Sequence, residues 1–332
     1  MPVDAAMKKI GIDSLVDEAI DIDTKEKTVS FASGDSLHYD RLVIATGSNP
    51  VRPRWLDGGE LQNVFVIRKD RAYLDDMKER IAGLHRVVVI GAGFIGVEFS
   101  DELAKDGHQV TLVEKLPHVL HGSFDTEISE IIHDLLTERG TAIVVGVGVK
   151  RVLGSDRAEG VLLEDGRTLE ADAVVLSMGY QPNSELAKRA SIYVDEDQFI
   201  AVDEYMRTHE ADVFAAGDCA QKRDFVTRRR TPVMLASTAC AEARIAGMNL
   251  FNIHVVKTFS GTISIYSTAL GTHGFGTAGL TERRAREEGI VTVSAVFEGV
   301  NRHPGNLPGT EKQVVKLTAA QNSGVIIGGE AY

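Results

Sequence analysis

The sequence has few cysteines and no excess of positive charge, and each shortage excludes a class of protein. Cys219 and Cys240 are the only cysteines among 332 residues, and they do not form a Cys-x-x-Cys pair. This usage is typical of a reducing compartment rather than of a secreted disulfide framework. The formal net charge of −12 argues against nucleic acid or an anionic membrane as the main partner, because both attract excess Lys and Arg.

Long apolar runs are also missing. No stretch approaches the roughly 18 apolar residues of a membrane span, and the first residues lack the apolar core of a signal peptide. We therefore expect a cytoplasmic protein that does not bind a membrane. No Gly-x-Ser-x-Gly turn for a serine nucleophile occurs, and His118 and His121 have no evident third metal ligand nearby, so the sequence predicts no metal site.

Strands and helices alternate regularly through the middle of the chain. Buried strands are predicted at 86–90, 109–113, 142–145 and 173–178, with helices at 70–83, from 94 to about 105, and at about 125–139. Shorter strands are expected at 147–153, at 160–164 and near 168, with Asp165-Gly166 as a hairpin turn. This order predicts a parallel sheet with helices on both of its faces.

The segments on either side of this region do not show the same regular alternation of strands and helices. Residues 16–31 predict two short strands joined at Asp23-Thr24-Lys25-Glu26, and residues 41–47 predict a buried strand that ends in Thr-Gly. Another strand is predicted at 213–216, followed by a small-residue helix over about 233–250. Beyond residue 255, strands surround one helical stretch at 280–288, which indicates a further domain of α+β type.

A glycine motif carries the most specific chemistry. Gly91, Gly93 and Gly96 have Gly-x-Gly-x-x-Gly spacing, follow an apolar strand and open a helix, as a dinucleotide-binding turn requires. The glycines allow a tight turn, close approach to a pyrophosphate and close packing of helix on strand. Glu114 ends the next strand, where its carboxylate would accept hydrogen bonds from ribose hydroxyls. Because a carboxylate repels a 2′-phosphate, we expect NADH to be favoured over NADPH.

Other polar residues leave two interpretations open. Glu98 is expected on the first turn of the same helix, where the helix dipole would stabilise it, or where it would lie near a nicotinamide. Asp218 follows the strand-ending Gly217 and suits either a sugar hydroxyl or a helix N-cap. Cys219 is expected to be structural because the adjacent Asp218 charge disfavours a thiolate. Cys240 is expected to be buried in the alanine-rich helix.

Taken together, the motifs resemble the pyridine nucleotide-disulfide oxidoreductase family. The similarity is strongest to its branch of NADH oxidases, NADH peroxidases and coenzyme A-disulfide or persulfide reductases. It rests on YDRLVIATGSNP (39–50), VVVIGAGFIGVEFSDELAKDGHQVTLVEK (87–115), SMGYQPN (177–183), VFAAGDCAQ (213–221) and GLTERRAREEG (279–289).

The resemblance implies an α/β fold with Rossmann-like nucleotide-binding domains and a C-terminal α+β dimerisation domain. A partial FAD-binding domain, over 1–75 and 184–252, would be interrupted by an NAD-binding domain over 76–183. An incomplete dimerisation domain would follow over 253–332, so a homodimer is expected.

The resemblance also implies the cofactors and their contacts. FAD would contact Ala45, Thr46, Gly47, Asp218, Met234, Leu235 and Ala236, and NADH would contact Gly91, Gly93, Ile95, Gly96, Glu114 and Gly179. Hydride would pass from NADH to the flavin and then to a small-molecule acceptor, which would be oxygen, peroxide, or a disulfide or persulfide.

Several departures from the family pattern bear on the activity. Family members begin with a glycine-rich turn for the flavin pyrophosphate and then carry a redox cysteine, and neither occurs before residue 40. Neither Cys219 nor Cys240 aligns with that cysteine, so no catalytic residue is assigned. The chain also stops at Tyr332, where such proteins continue, and residues 303–309 replace a tyrosine-bearing stretch typical of coenzyme A-disulfide reductases.

These departures lead us to expect a chain without its first flavin-binding segment. If it is complete, it should purify with little flavin while residues 85–180 still bind NADH. If it is part of a longer protein, the intact protein should be yellow. A ferredoxin- or rubredoxin-type reductase, which needs no redox cysteine, and a truncated, non-catalytic NADH-binding module remain alternatives.

Overall fold

The chain forms two compact units in a computed structural model that describes residues 7–252 and 257–332. Unit 1 comprises the residues up to Ser48, Pro182–Arg223 and Arg230–Gly261, and unit 2 comprises Asn49–Gln181, Asp224–Arg229 and Thr262–Tyr332. The first six residues of the predicted flavin domain and the predicted domain start at residue 253 lie outside the described residues. The division into three cofactor and dimer domains stays a prediction.

The strands are β1 (Ala19–Asp23), β2 (Thr28–Phe31), β3 (Ser36–His38), β4 (Leu42–Ile44), β5 (Ser48–Pro50), β6 (Val64–Val66), β7 (Arg86–Ile90), β8 (Gln109–Val113), β9 (Thr141–Val144), β10 (Val149–Leu153), β11 (Gly160–Leu163), β12 (Thr168–Glu170), β13 (Ala173–Leu176), β14 (Tyr180–Pro182), β15 (Val213–Ala215), β16 (Tyr266–Leu270), β17 (His273–Gly279), β18 (Thr292–Val300), β19 (Lys312–Ala320) and β20 (Ile326–Ala331). The helices are α1 (Arg71–Ala82), α2 (Phe94–Lys105), α3 (Thr126–Glu138), α4 (Glu185–Arg189), α5 (Ala236–Asn249) and α6 (Glu282–Glu287).

A five-stranded sheet forms the centre of unit 2, in the order β6-β13-β7-β8-β9, and its strands run parallel. The predicted strands and helices of this region are confirmed to within two residues of most ends. Helix α1 starts where the Asp70 carboxylate accepts the N–H of Tyr73 at 2.8 Å, which satisfies one of the free donors of its first turn.

The two faces of the parallel sheet are covered differently, which corrects the prediction of helices on both. Val87 and Val89 of β7 pack among buried residues of α1, α2 and α3. Val88 and Ile90, which point to the opposite face, pack against the antiparallel sheet β10-β11-β12. The chain returns from β9 to β13 through this short meander instead of a helix, so a second sheet covers that face.

The C-terminal part of unit 2 is an antiparallel sheet in the order β16-β17-β20-β19-β18, accompanied by α6. This confirms the prediction that the C-terminal residues form strands around one helix. The sheet is attached to α2, because the ring of Phe94 stacks on Tyr266 with centroids 5.1 Å apart. Next to this pair, Thr268 donates a hydrogen bond of 2.7 Å to the Glu98 carboxylate.

A buried lysine makes a second attachment. Lys316 of β19 is only 4% exposed, and its ammonium lies 3.0 Å from the carboxylates of both Asp125 and Glu127 and 3.5 Å from that of Glu282. Burial lowers the pKa of Lys316, but the adjacent carboxylates outweigh burial and raise it. Glu330 completes the cluster by accepting the N–H of Asp125 at 2.8 Å. We call these five residues the Lys316 cluster.

Unit 1 contains an antiparallel sheet β1-β2-β3 and a parallel pair of strands, β4 and β15. The predicted hairpin, the strand that ends near Thr46 and the small-residue helix α5 are confirmed. Ile44 and Ala215 are paired residues at the ends of the parallel strands, and both are buried in one apolar cluster. In the part of the chain that the structure describes, no helix has the length and apolar character needed to span a bilayer.

Replacing Lys316 with Ala should lower the free energy of unfolding by about 3 to 5 kcal/mol, because the change leaves buried carboxylates without their counter-charge. Lys312 lies on the same strand and is exposed, so Lys312→Ala should change stability by less than about 0.5 kcal/mol. Urea denaturation measures both. If Lys316→Ala lowered the free energy of unfolding no more than Lys312→Ala does, the Lys316 cluster would contribute nothing to stability.

Candidate functional site

The turn between β7 and α2 requires glycine at two of its three motif positions. Gly91 has a φ of +101°, and a Cβ there would lie 2.3 Å from the Ser177 carbonyl oxygen. A Cβ on Gly96 would lie 1.9 Å from the Gly91 carbonyl oxygen. At Gly93 a Cβ would meet nothing within 4 Å, and Gly93 caps α2 without a side chain. The N–H groups of the first turn are therefore accessible to an anion.

Glu114 lies beside this turn, as its position after β8 predicts. Its carboxylate accepts the N–H of Ala92 at 2.7 Å and the N–H of Leu116 at 2.9 Å. These bonds hold the carboxylate in place and fix the glycine turn to the end of the next strand. A carboxylate can accept up to about four hydrogen bonds, so hydroxyl groups of a ligand can still be bound.

A cleft of about 310 Å³ opens at the carboxyl ends of the parallel strands, where α/β folds bind ligands. Its lining includes Gly91, Gly93 and Glu114 from the predicted site. The remaining lining residues are Trp55, Ile90, Val113, Lys115, Val147, Gly148, Val149, Glu164, Ser177 and Met178. The cleft thus combines a glycine turn, a carboxylate and an apolar wall, and this set of groups fits a dinucleotide.

Three further predicted contacts lie near the cleft in the sequence but do not line it. Ile95 lies in the first turn of α2, and Gly179 follows β13 with a φ of +89°. Glu98 was expected on the first turn of α2, but that turn holds no acidic residue. Because α2 begins at Phe94, Glu98 lies on the second turn, where its partner is Thr268 rather than the helix dipole.

In unit 1, the ends of β4 and β15 bring together the first group of predicted flavin contacts. Thr46 donates a hydrogen bond of 2.5 Å to the Asn183 carbonyl oxygen, and the N–H of Asn183 donates to the Gly47 carbonyl oxygen at 2.9 Å. Asp218 lies next to this loop, where its carboxylate accepts the hydroxyl of Ser48 at 2.8 Å. The structure therefore places Thr46, Gly47 and Asp218 at one edge of the parallel pair.

A buried carboxyl group supports this edge from α5. Glu242 is 0% exposed, and its Oε2 accepts the N–H of Gly217 at 2.7 Å. Lys222 lies 3.7 Å from the other oxygen of Glu242 and donates to the carbonyl oxygens of Gly217 and Ala220 at 3.0 and 2.7 Å. Burial raises the pKa of Glu242 to about 7, although Lys222 and the Gly217 N–H act to lower it. Gly217, the residue before Asp218, is thus held by two buried side chains, Glu242 at its N–H and Lys222 at its carbonyl oxygen.

The other predicted flavin contacts lie on separate elements. Ala45 directly follows β4, and Met234, Leu235 and Ala236 form the entry to α5, with Leu235 as its N-cap. Ala45 and Ala236 are exposed, whereas Met234 and Leu235 are half-buried.

The two cysteines differ in their surroundings. Cys219 is buried, and its thiol lies 3.4 Å from the Ala216 carbonyl oxygen, which fits a structural role. Cys240 is exposed, so the expectation that it is buried was wrong. The buried side of α5 consists of Thr238, Glu242, Ala246 and Asn249, and Cys240 lies on another side of the helix.

His118 and His121, the two histidines that lie close together in the sequence, also lie close together in the structure. His118 and His121 stack with their ring centroids 5.8 Å apart. Among residues 7–252 and 257–332, no group of three or more His, Cys, Asp or Glu side chains is arranged to hold a metal ion. Burial, together with the nearby Arg283, lowers the pKa of His121.

The parallel sheet, its glycine turn and the cleft define a dinucleotide-binding fold, and comparison with known proteins gives the family. The profile of the pyridine nucleotide-disulphide oxidoreductase family matches residues 5–243, so the chain belongs to this family. The family and fold class predicted from the sequence are thereby confirmed.

Three individual relatives show which members of the family this chain is similar to. An NADH oxidase of Enterococcus faecalis is 29% identical over 318 residues, covering 94% of this chain and 70% of the relative. An NAD(P)H coenzyme A polysulfide/persulfide reductase of Pyrococcus horikoshii is 32% identical, covering 93% and 68%. The structure of a NAD-dependent persulfide reductase from A. fulgidus superposes with a TM-score of 0.91 at 30% identity, covering 99% of this chain and 61% of that one. The chain is therefore related to NAD(P)H-dependent oxidoreductases and spans 61% of the third relative.

Replacing Glu242 with Gln should change stability in a pH-dependent way. A carboxyl group whose pKa rises from 4.5 to about 7 on folding stabilises the fold fully below pH 4.5, and this contribution is lost as the pH rises through about 7. Glu242→Gln should therefore gain about 1 to 3 kcal/mol relative to wild type across that interval.

Urea denaturation at a series of pH values measures this difference. Glu18 is exposed, so Glu18→Gln is a matched control that should run parallel to wild type. A Glu242→Gln curve that also runs parallel to wild type would show that Glu242 keeps an ordinary carboxyl pKa.

Proposed function

We propose that the chain belongs to an NADH:acceptor oxidoreductase that also uses FAD, with NADH in the cleft of unit 2 and the flavin at the edge formed by β4 and β15. The observation that carries the proposal is the Gly91–Gly96 turn, which Glu114 holds through the Ala92 N–H. It combines donors for a pyrophosphate with an acceptor for ribose hydroxyls in one cleft. The whole protein's activity is part of the proposal, because the chain spans only part of its relatives.

The groups in the cleft support a preference for NADH. The first-turn N–H groups of α2 favour the two phosphates through their hydrogen bonds and through the helix dipole. The Glu114 carboxylate accepts hydroxyl groups but would repel a phosphate on the 2′ oxygen. Lys115 is the nearest cation along the chain, and its ammonium lies 3.1 Å from the Glu164 carboxylate. This ion pair reduces the attraction that Lys115 would otherwise exert on a 2′-phosphate.

The residues of unit 1 suit the sugar-alcohol part of a flavin. Asp218 is an acceptor at the edge of the parallel pair, and the Gly47 backbone, with a φ of +71°, leaves open space where a Cβ would project. A flavin bound there would take hydride from NADH and pass electrons to an acceptor. The chain's own residues would bind the sugar alcohol and hold the Gly217–Asp218 turn through Glu242.

The acceptor in this proposal is oxygen, a peroxide, or a disulfide or persulfide. Relatives named NADH oxidase and coenzyme A polysulfide/persulfide reductase support this range. Cys219 is buried against Ala216 and Ile44, which argues against a role for its thiol in sulfur chemistry. Assays with oxygen, peroxide, persulfide and an iron–sulfur protein would separate this proposal from a ferredoxin-type reductase.

Titration with both nucleotides in the presence of FAD tests the proposal. A protein that contains this chain together with the first flavin-binding segment should carry the visible absorbance of bound flavin, and NADH should bleach that absorbance at lower concentration than NADPH. Glu114→Ala should weaken NADH binding by about 1 to 3 kcal/mol, since a charge-assisted hydrogen bond is lost, and it should reduce the discrimination against NADPH.

Glu114→Gln removes the charge but keeps one acceptor oxygen, so it can accept only one of the two backbone N–H groups that the two Glu114 oxygens bind. It should lose discrimination against NADPH and weaken NADH binding less than Glu114→Ala does. Equal wild-type affinities for the two nucleotides would defeat the assignment of Glu114. Failure of the protein with the first flavin-binding segment to retain FAD would defeat the flavin assignment alone.

We also propose that the chain forms a homodimer through the C-terminal sheet. Val293, Phe297 and Leu317 are 58%, 67% and 46% exposed. The pairing of Ala295 with Leu317 places all three side chains on one face of the sheet. Lys316 points to the opposite face, toward α3. An apolar face of this kind favours association with a second copy.

Phe297→Asp should convert the dimer to a monomer, because it places a charge in the centre of the apolar face. Glu298 is exposed and lies on the opposite face of the same strand, so Glu298→Ala should leave the dimer intact. Sedimentation equilibrium distinguishes the two states. A monomeric wild type would contradict the proposal.

A further inference from the structure

Trp55 lies in a segment whose backbone is fixed on several sides. The neighbouring Leu56 is buried in the core beneath the parallel sheet. The carbonyl oxygen of Asp57 accepts the N–H of Val152 at 2.9 Å, and Gly58 approaches the same residue so closely that a Cβ would lie 2.3 Å from its carbonyl oxygen. The position of the Trp55 Cα is therefore set by the sheet β10-β11-β12.

The indole on this fixed backbone is left open to solvent. Trp55 is the chain's one tryptophan and is 61% exposed, although it lines the cleft that contains the glycine turn. A tryptophan side chain is the largest apolar group a protein can bury. An exposed indole on a fixed backbone in a concave site offers a flat apolar surface to a ligand.

The chemical groups that line the cleft indicate which part of a ligand meets the indole. The turn at Gly91 and Gly93 offers donors for phosphate, and Glu114 offers an acceptor for hydroxyl groups. The apolar lining of the cleft includes Val147 and Val149 as well as Trp55. A dinucleotide bound with its phosphates at the glycine turn and its ribose at Glu114 would place its base against this apolar lining.

We propose that Trp55 is the adenine-binding residue of the cleft, with its indole stacked on the base. The inference rests on the proposed binding of NADH and adds a residue that acts on the adenosine half alone. Aromatic stacking on a base depends little on the pattern of hydrogen-bond donors. Trp55 therefore contributes affinity for a purine, while Glu114 determines the choice between NADH and NADPH.

Binding of ADP-ribose, NADH and nicotinamide mononucleotide to the 332-residue chain tests this role by calorimetry. Trp55→Ala should weaken ADP-ribose and NADH binding by the same factor, about 5- to 150-fold from the usual contribution of base stacking. Binding of nicotinamide mononucleotide should not change. Trp55→Phe keeps an aromatic face and should retain most of the affinity. Tyr193 is comparably exposed, at 57%, and Tyr193→Ala should have no effect.

Fluorescence of the single tryptophan gives an independent readout in the wild type. Acrylamide should quench Trp55 in the free chain, and ADP-ribose, which has no nicotinamide to absorb the emission, should protect it. Unchanged ADP-ribose affinity in Trp55→Ala, or no protection from acrylamide, would overturn the proposal. In that case, if Glu114→Ala still weakened NADH binding, the proposed function would stand without the adenine-binding role of Trp55. Failure of wild type to bind either NADH or ADP-ribose would overturn both.

Discussion

Helix α2 can lie against strand β7 only because glycines occupy the points of contact. Any side chain at Gly96 would collide with the Gly91 carbonyl oxygen, and the helix would have to move away from the sheet. The seating of α2 also fixes its outer side, where Phe94 stacks on Tyr266 and Glu98 binds the C-terminal sheet. The cleft and the attachment of the C-terminal sheet thus depend on the same close approach, so a shift of the helix would alter both.

The parallel sheet of unit 2 could be predicted well because local sequence and burial agree there. Strands β7 and β8 have the predicted bounds, since each is a run of β-branched and apolar residues that ends at the cleft. Gly91, Gly93 and Glu114 were found through spacing alone, because the turn and the following strand place them in one cleft whatever the rest of the protein does. The meander β10-β11-β12 was predicted as strands, but periodicity does not show that it covers a face of the sheet.

The features that were missed depend on contacts between segments distant in the sequence. Helix α5 consists of small residues with little contrast between its sides, so the sequence did not show that Glu242 faces inward and Cys240 outward. Glu98 was placed one turn early, and its partner Thr268 lies 170 residues away. Trp55 lies in a loop without periodicity, and only the structure shows that it lines the cleft.

The segment Asn49–Gln181 of unit 2 interrupts unit 1 in the sequence, and this arrangement bears on how the chain folds. Strands β4 and β15 must pair although the segment Asn49–Gln181 separates them. At the two ends of that segment, β5 pairs with β14, and the N–H of Val51 donates to the Gly179 carbonyl oxygen at 2.9 Å. Folding of the inserted segment thus brings its ends together, which would remove part of the loop-closure entropy that the pairing of β4 with β15 would otherwise cost. We therefore expect β4 and β15 to pair after the inserted segment has folded.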